Sequence, residues 1–169
     1  MRRLGPIALV GVSTAVPTAP LLATGRLGAP QIWRLIETLE RLRNEQAFRI
    51  ILIHHPPETD PNKRMDRLVD AEAFRDAISR SGAELVIHGH KHFHTVAWLD
   101  GRGGRVPLVG VPSASAAPGH GDAPAAYNLY RIDGNHTAWR CEMVSRGFAA
   151  AGYEIVEQAR RVLIQRRIA

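Results

Sequence analysis

Cysteine is almost missing from this chain: Cys141 is the only one in 169 residues. That excludes an internal disulfide and fits a reducing, cytoplasmic setting. Long hydrophobic runs are missing too. No stretch reaches the roughly 18 consecutive apolar residues of a membrane span, so no membrane partner is expected. Acidic residues are in deficit, with 16 Asp plus Glu against 22 Lys plus Arg and a formal net charge of +6. A basic excess favours anionic partners. Here, however, the arginines are scattered, with local density only at Arg160, Arg161, Arg166 and Arg167. No aromatic residues interleave with that tail, which argues against nucleic acid and for a solvated terminus. The sequence contains no internal repeat and no low-complexity linker, so residues 1–169 read as one domain with its own core.

The amino terminus, "MRRLGPIALVGVSTAVPTA", imitates a signal peptide with its two arginines, apolar run and small residues. Its apolar core from Ile7 to Val12 is short, and Pro6, Pro17 and Pro20 punctuate it. Ile7 to Val12 reads better as a buried strand, followed by a loop from Ser13 to Ala29. Pro30 stands where a first helical residue belongs. Ile32, Leu35, Ile36, Leu39 and Leu42 then follow at helical spacing. Phe48 to Ile53 is an apolar strand broken only by Arg49, and it stops at His54-His55-Pro56-Pro57, where prolines cannot continue a ladder. A second helix is predicted from about Asp66 to Ser81, with Leu68, Ala71, Phe74 and Ile78 as its buried stripe and Gly82 beyond its end. Glu84 to Ile87 is a third short apolar strand.

These lengths are those of a βαβαβ unit with parallel strands, the α/β class. After Phe93 the period changes. Thr95 to Leu99, Val106 to Val109, Ala126 to Ile132 and His136 to Val144 read as strands joined by Gly/Asp turns, largely antiparallel. Tyr153 to Ile164 fits helix and strand equally.

What is abundant is histidine. The stretch "IHGHKHFH" holds four of the eight, His88, His90, His92 and His94, at alternate positions. Ligands of an open parallel sheet collect beyond the carboxyl ends of its strands. His54 lies at one such end, and His88 and His90 lie at the next. Two groups distant in sequence are thus delivered to one edge, as a metal site requires. His54, His90 and His92 are the metal-ligand candidates. The ordinary reading of a histidine, surface or satisfied core, is kept for His88, His94, His120 and His136.

"ILIHHPP" and "VIHGHKH", in this order, resemble the later motifs of the calcineurin-like metallophosphoesterase superfamily, which includes class III cyclic nucleotide phosphodiesterases. "IALVGVSTAVPTAPLLATGRLG" resembles the strand and loop preceding the His-Pro motif in bacterial members. The similarity covers about Ile7 to Val144. It implies a four-layer α/β/β/α sandwich, of which this chain is the later, carboxy-terminal part. It also implies two divalent ions, manganese, iron or zinc. His54 and His90 would ligate one ion and His92 the other, with His55 a less restricted neighbour.

The implied reaction is hydrolysis of a phosphomonoester or phosphodiester, with cyclic nucleotides one substrate class. Hydroxide attacks phosphorus while the metals stabilise the phosphoryl oxygens.

The family's earlier motifs, Asp-x-His, a bridging Gly-Asp and Gly-Asn-His with a following acid, are not found before these. "GHGDAP" and "DGNHTAW" imitate two of them at Gly121-Asp122 and Gly134-Asn135-His136. Asp133-Gly134-Asn135 reads instead as a hairpin turn between strands, and Thr137 replaces the acid. With three histidines for two ions, weak or incomplete metal occupancy and little activity of the isolated chain are expected. No proton donor and no substrate-binding residue is assigned. A non-catalytic metal- or anion-binding module completed by a partner chain is the alternative. The Ile7 to Val12 strand is expected to present an unpaired edge, which a homodimer would cover.

Overall fold

The computed structural model describes residues 1–58, 65–118, 123–149 and 153–165. It is a mixed α/β arrangement in which the described residues form two helices and nine strands. The first sheet runs β1 (Arg2–Leu4), β2 (Ile7–Gly11), β3 (Phe48–Ile53), β4 (Leu85–His88), β6 (Gly104–Gly110) and β5 (Thr95–Gly101). Its four inner strands are parallel, and β1 and β5 are antiparallel edges. The second sheet is an antiparallel meander of β7 (Ala126–Asp133), β8 (Arg140–Phe148) and β9 (Ile155–Gln165).

Helices α1 (Ala29–Asn44) and α2 (Ala71–Ser81) cross over between β2, β3 and β4 on one face of the large sheet. Leu35, Leu39 and Leu42 from α1 and Phe74 and Ile78 from α2 meet Ala8, Val10, Ile51 and Val86 there. Alternate strand residues, Phe48, Ile50, Leu85 and Val109, point to the other face and meet Trp139, Cys141, Met143 and Leu163 of the small sheet. The described layers are therefore helix, sheet and sheet. No second helical layer lies among the described residues.

Several expectations are corrected. The edge of β2 is not open, because Arg2–Leu4 folds back on it through a two-residue turn. Gly5 supplies φ 58° and Pro6 its fixed φ, the pairing that a tight hairpin of type II′ needs. Helix α2 begins at Ala71 rather than near Asp66, because the backbone of Arg67 to Val69 pairs with Gly25 instead, and the Asp70 carboxylate is turned to the same loop. It accepts from the backbone N–H groups of Leu27 and Gly28, at 3.0 and 2.7 Å, and tethers the loop before α1. The strand read as His136 to Val144 is Arg140–Phe148. Residues 134–139 form the turn, in which Asn135 Oδ1 accepts from Thr137 N–H and Oγ1–H. Asp133 pairs directly with Arg140, so the Gly-Asn-His fragment is a hairpin connection. The undecided segment is strand β9. The Gly121-Asp122 fragment, His120, Arg166 and Arg167 lie outside the described residues.

Arg49 interrupts the apolar β3 yet is buried, as is Glu84. Arg49 Nε and Nη2 donate to the two carboxylate oxygens of Glu84 at 2.9 and 3.1 Å, and Nη1 donates to Ser81 O and Leu39 O. This pair closes the amino ends of β3 and β4, the opposite end of the sheet from the histidines.

Candidate metal centre

The parallel register Ile53↔His88 sets the ends of β3 and β4 side by side. The chain leaving β4 stays close, since Gly89 N–H donates to His54 O at 3.1 Å. His54, His55 and His90 consequently meet. Ring centroids lie 5.2 Å apart for His54 and His90, 5.0 Å for His54 and His55, and 4.4 Å for His55 and His90.

His90 sits in a strained turn. Lys91 N–H donates to Gly89 O at 2.8 Å across it, and its own φ is 69°. A three-residue turn closed this way with positive φ at its centre is the rare, strained form of the γ-turn. His92 also has positive φ, 57°. Left-handed backbone at non-glycine residues costs of order 1–3 kcal/mol each and persists only where the surroundings enforce it. Here Lys91 is pinned by Glu58 at 2.6 Å, which ties the turn to the segment after β3. His90 Nε2 donates to Asp66 O at 2.9 Å. That bond fixes the neutral tautomer and leaves the Nδ1 lone pair for a ligand, the arrangement common behind metal-binding imidazoles.

His55, the neighbour of His54 in the motif, is held at both ring nitrogens. It is 7% exposed. Nε2 donates to Ala23 O at 2.9 Å, and in the neutral ring Nδ1 accepts from buried Thr14 Oγ1 at 2.7 Å. Both nitrogens are occupied, so His55 serves as a clamp on the loop between β2 and α1. Gly25 passes so close that a Cβ there would collide with the imidazole ring. Only glycine fits.

Burial, then the proximity of His90 and His92, pushes the His54 pKa down, and burial pushes His55 down as well. Both imidazoles are thereby biased toward the neutral form that binds metals. His92 is exposed and close enough to His54 to act on it electrostatically. His88 is a core residue: it is buried, and its Nδ1 donates to Gly89 O at 3.0 Å. His136 is exposed in the turn between β7 and β8, and His94 lines a separate cleft between the sheets.

An open cavity of about 680 Å³ lies beyond the ends of β2 and β3, lined by Gly11, Ser13, Thr14, Leu52, His54 and His55. Leu52 is 39% exposed although it belongs to an inner strand. Among the described residues no group of three or more His, Cys, Asp or Glu side chains is gathered tightly enough to hold a metal ion. The described residues thus bring His54 and His90 together with His92 nearby, but do not complete a coordination shell. No hydrolytic step is derived from them.

Sequence reasoning missed the clamp of Thr14, Gly25 and His55, the Asp66 carbonyl and the Lys91–Glu58 tie. A glycine inside a loop opposite His-His was the one available hint. No protein-family model matches the chain, and no curated protein matches it at significant similarity.

Proposed function

We propose that this chain carries the later histidine ligands of a dinuclear metallophosphoesterase centre, within a four-layer α/β/β/α sandwich that its described layers make up in part. His54 and His90 would serve one divalent ion, manganese, iron or zinc, and His92 the other. The substrate would be a phosphomonoester or phosphodiester, cyclic nucleotides included, and the setting cytoplasmic. The observation that carries this reading is the convergence of His54 and His90 from two strand ends to a 5.2 Å ring separation. The strained turn at His90 and its Asp66 carbonyl partner support it.

The ligand count favours a second reading alongside the first. Two clustered imidazoles and a third nearby fall short of the three protein ligands that catalytic zinc sites usually have. The chain would then be a binding module whose remaining ligands come from a partner, a second copy included, seated over Leu52 and the cavity.

Manganese titration of the purified chain, followed by electron paramagnetic resonance and elemental analysis, tests both. Manganese retained by the wild type and lost in His90→Ala supports ligation. Turnover of bis-p-nitrophenyl phosphate with that metal bound would decide for the enzyme, whereas its absence from the isolated chain is expected on either reading. No manganese binding even up to about 10 mM, or binding at any strength indifferent to His54→Ala and His90→Ala, would overturn both readings.

A further inference from the structure

Strand β9 carries two adjacent arginines in opposite situations. Arg160 stands across from Val144, and its guanidinium is held by two glutamates, at 2.5 Å to Glu142 Oε1 and 2.8 Å to Glu157 Oε2. Arg161 stands across from Met143, which is 4% exposed and belongs to the core between the sheets. Directly opposed residues share a face. Arg161 is therefore on the inner face, at the margin where the small sheet meets the large one. Among the described residues it makes no ion pair.

A cleft of about 550 Å³ opens there, between the start of β5 and strands β8 and β9. His94, Gln158, Arg160 and Arg161 line it around Met143 and Ser145, and no acidic residue does. The Ser145 hydroxyl is already spent, donating to Asn128 Oδ1 at 2.7 Å. Gln158 keeps one amide hydrogen beyond that given to Phe148 O, and its side chain also hydrogen-bonds His94. The open donors are thus a guanidinium fork and one amide hydrogen, set over an apolar floor, since the His94 N–H is given to the Gln158 carbonyl. None of His54, His55 or His90 takes part.

We propose that this cleft is a binding site for a small organic oxyanion, a phosphate or carboxylate on a compact apolar body, held by Arg161. Elsewhere in this sheet Arg160 is met by two glutamates and Arg140 by one. At Arg161 the sheet offers a cleft instead. A guanidinium fork takes either anion through paired hydrogen bonds, and the volume lies in the range of small-ligand sites.

The test is calorimetric titration of the full chain, with EDTA present, using phenyl phosphate, benzoate and phenol. Heteronuclear spectra locate the contact. Binding of one or both anions, at least about 10-fold tighter than phenol, is expected, and comparison of the two identifies the preferred headgroup. The shifts should fall on Met143, Ser145 and Arg161. Arg161→Gln should weaken binding about 10- to 100-fold, and Arg161→Lys less so, since lysine keeps the charge without the fork. If a variant misfolds by circular dichroism, the wild-type shifts decide. Phenol binding as well as the anions, shifts centred on His54 and His90, binding indifferent to Arg161→Gln, or no binding up to about 10 mM would each overturn the proposal.

Discussion

The buried pair of Arg49 and Glu84 gives the sharpest test of how this fold is held. Both residues are 4% exposed. Removing one partner strands a charge in the core, so Glu84→Leu or Arg49→Met should each cost about 3–5 kcal/mol. The double variant removes both charges but leaves two polar groups behind among the described residues. The residue 49 N–H loses its 2.8 Å bond to Glu84 Oε2, and Ser81 O, at the end of α2, loses its 2.9 Å bond from Arg49 Nη1. Leu39 O lies inside α1 and keeps a helical partner. Two orphaned groups at about 1–3 kcal/mol each put the double variant about 2–6 kcal/mol below wild type. That is well under the sum of the singles, about 6–10 kcal/mol.

Urea unfolding followed by circular dichroism reads this, provided the slope m is unchanged between variants. The prediction is strong non-additivity, with the double variant close to either single one. Additive losses, or single variants costing less than about 1 kcal/mol, would refute the claim that a desolvated ion pair closes this end of the sheet. Buried pairs are also weakly screened, so added salt should leave the differences nearly intact.

Two further expectations concern backbone strain and ionisation. At residue 90, glycine should be more stable than alanine by about 1 kcal/mol, because it relieves the positive φ; this reverses their order in a helix, and equal urea midpoints for His90→Gly and His90→Ala would remove the strain argument. Burial pushes the Tyr130 phenol up to about 12, whereas an unfolded phenol ionises near pH 10, so the contribution of Tyr130 to stability should be intact below about pH 10 and fall by about 1.4 kcal/mol per unit as pH rises toward 12. This comes on top of an earlier decline from the Cys141 thiol, which burial pushes up to about 11. Tyr130→Phe should flatten the combined decline, and identical slopes in both proteins would contradict it.

The features legible in the sequence are those encoded locally. Ile50 to Ile53 and Leu85 to Ile87 are apolar on both faces, as inner strands must be when helices cover one side and a second sheet the other. The stripe through Leu35, Leu39 and Leu42 likewise reads as a helix because all three face one way. Strand β1 escaped notice because Arg2-Arg3-Leu4 has no apolar alternation, and only its tight turn makes it a strand. Arg49 looked like an interruption. Its partner lies 35 residues away, and nothing in either local sequence announces a register that exists only after β3 and β4 pair.

The same division runs through the candidate site. Strand ends are local features, so placing His54 and His90 at neighbouring ends required only the βαβ reading. Their orientation is not local. It depends on the carbonyls of Asp66 and Ala23, the hydroxyl of Thr14 and the ion pair of Lys91 with Glu58, all reached through loops. The consequence is physical as well as interpretive. His55, Thr14 and Gly25 fasten a long loop beside His54, so a side chain at residue 25 would act on the histidine cluster without touching a ligand. A site held this way depends on its loops as much as on its histidines, and the positive φ at His90 and His92 is the strain those loops sustain.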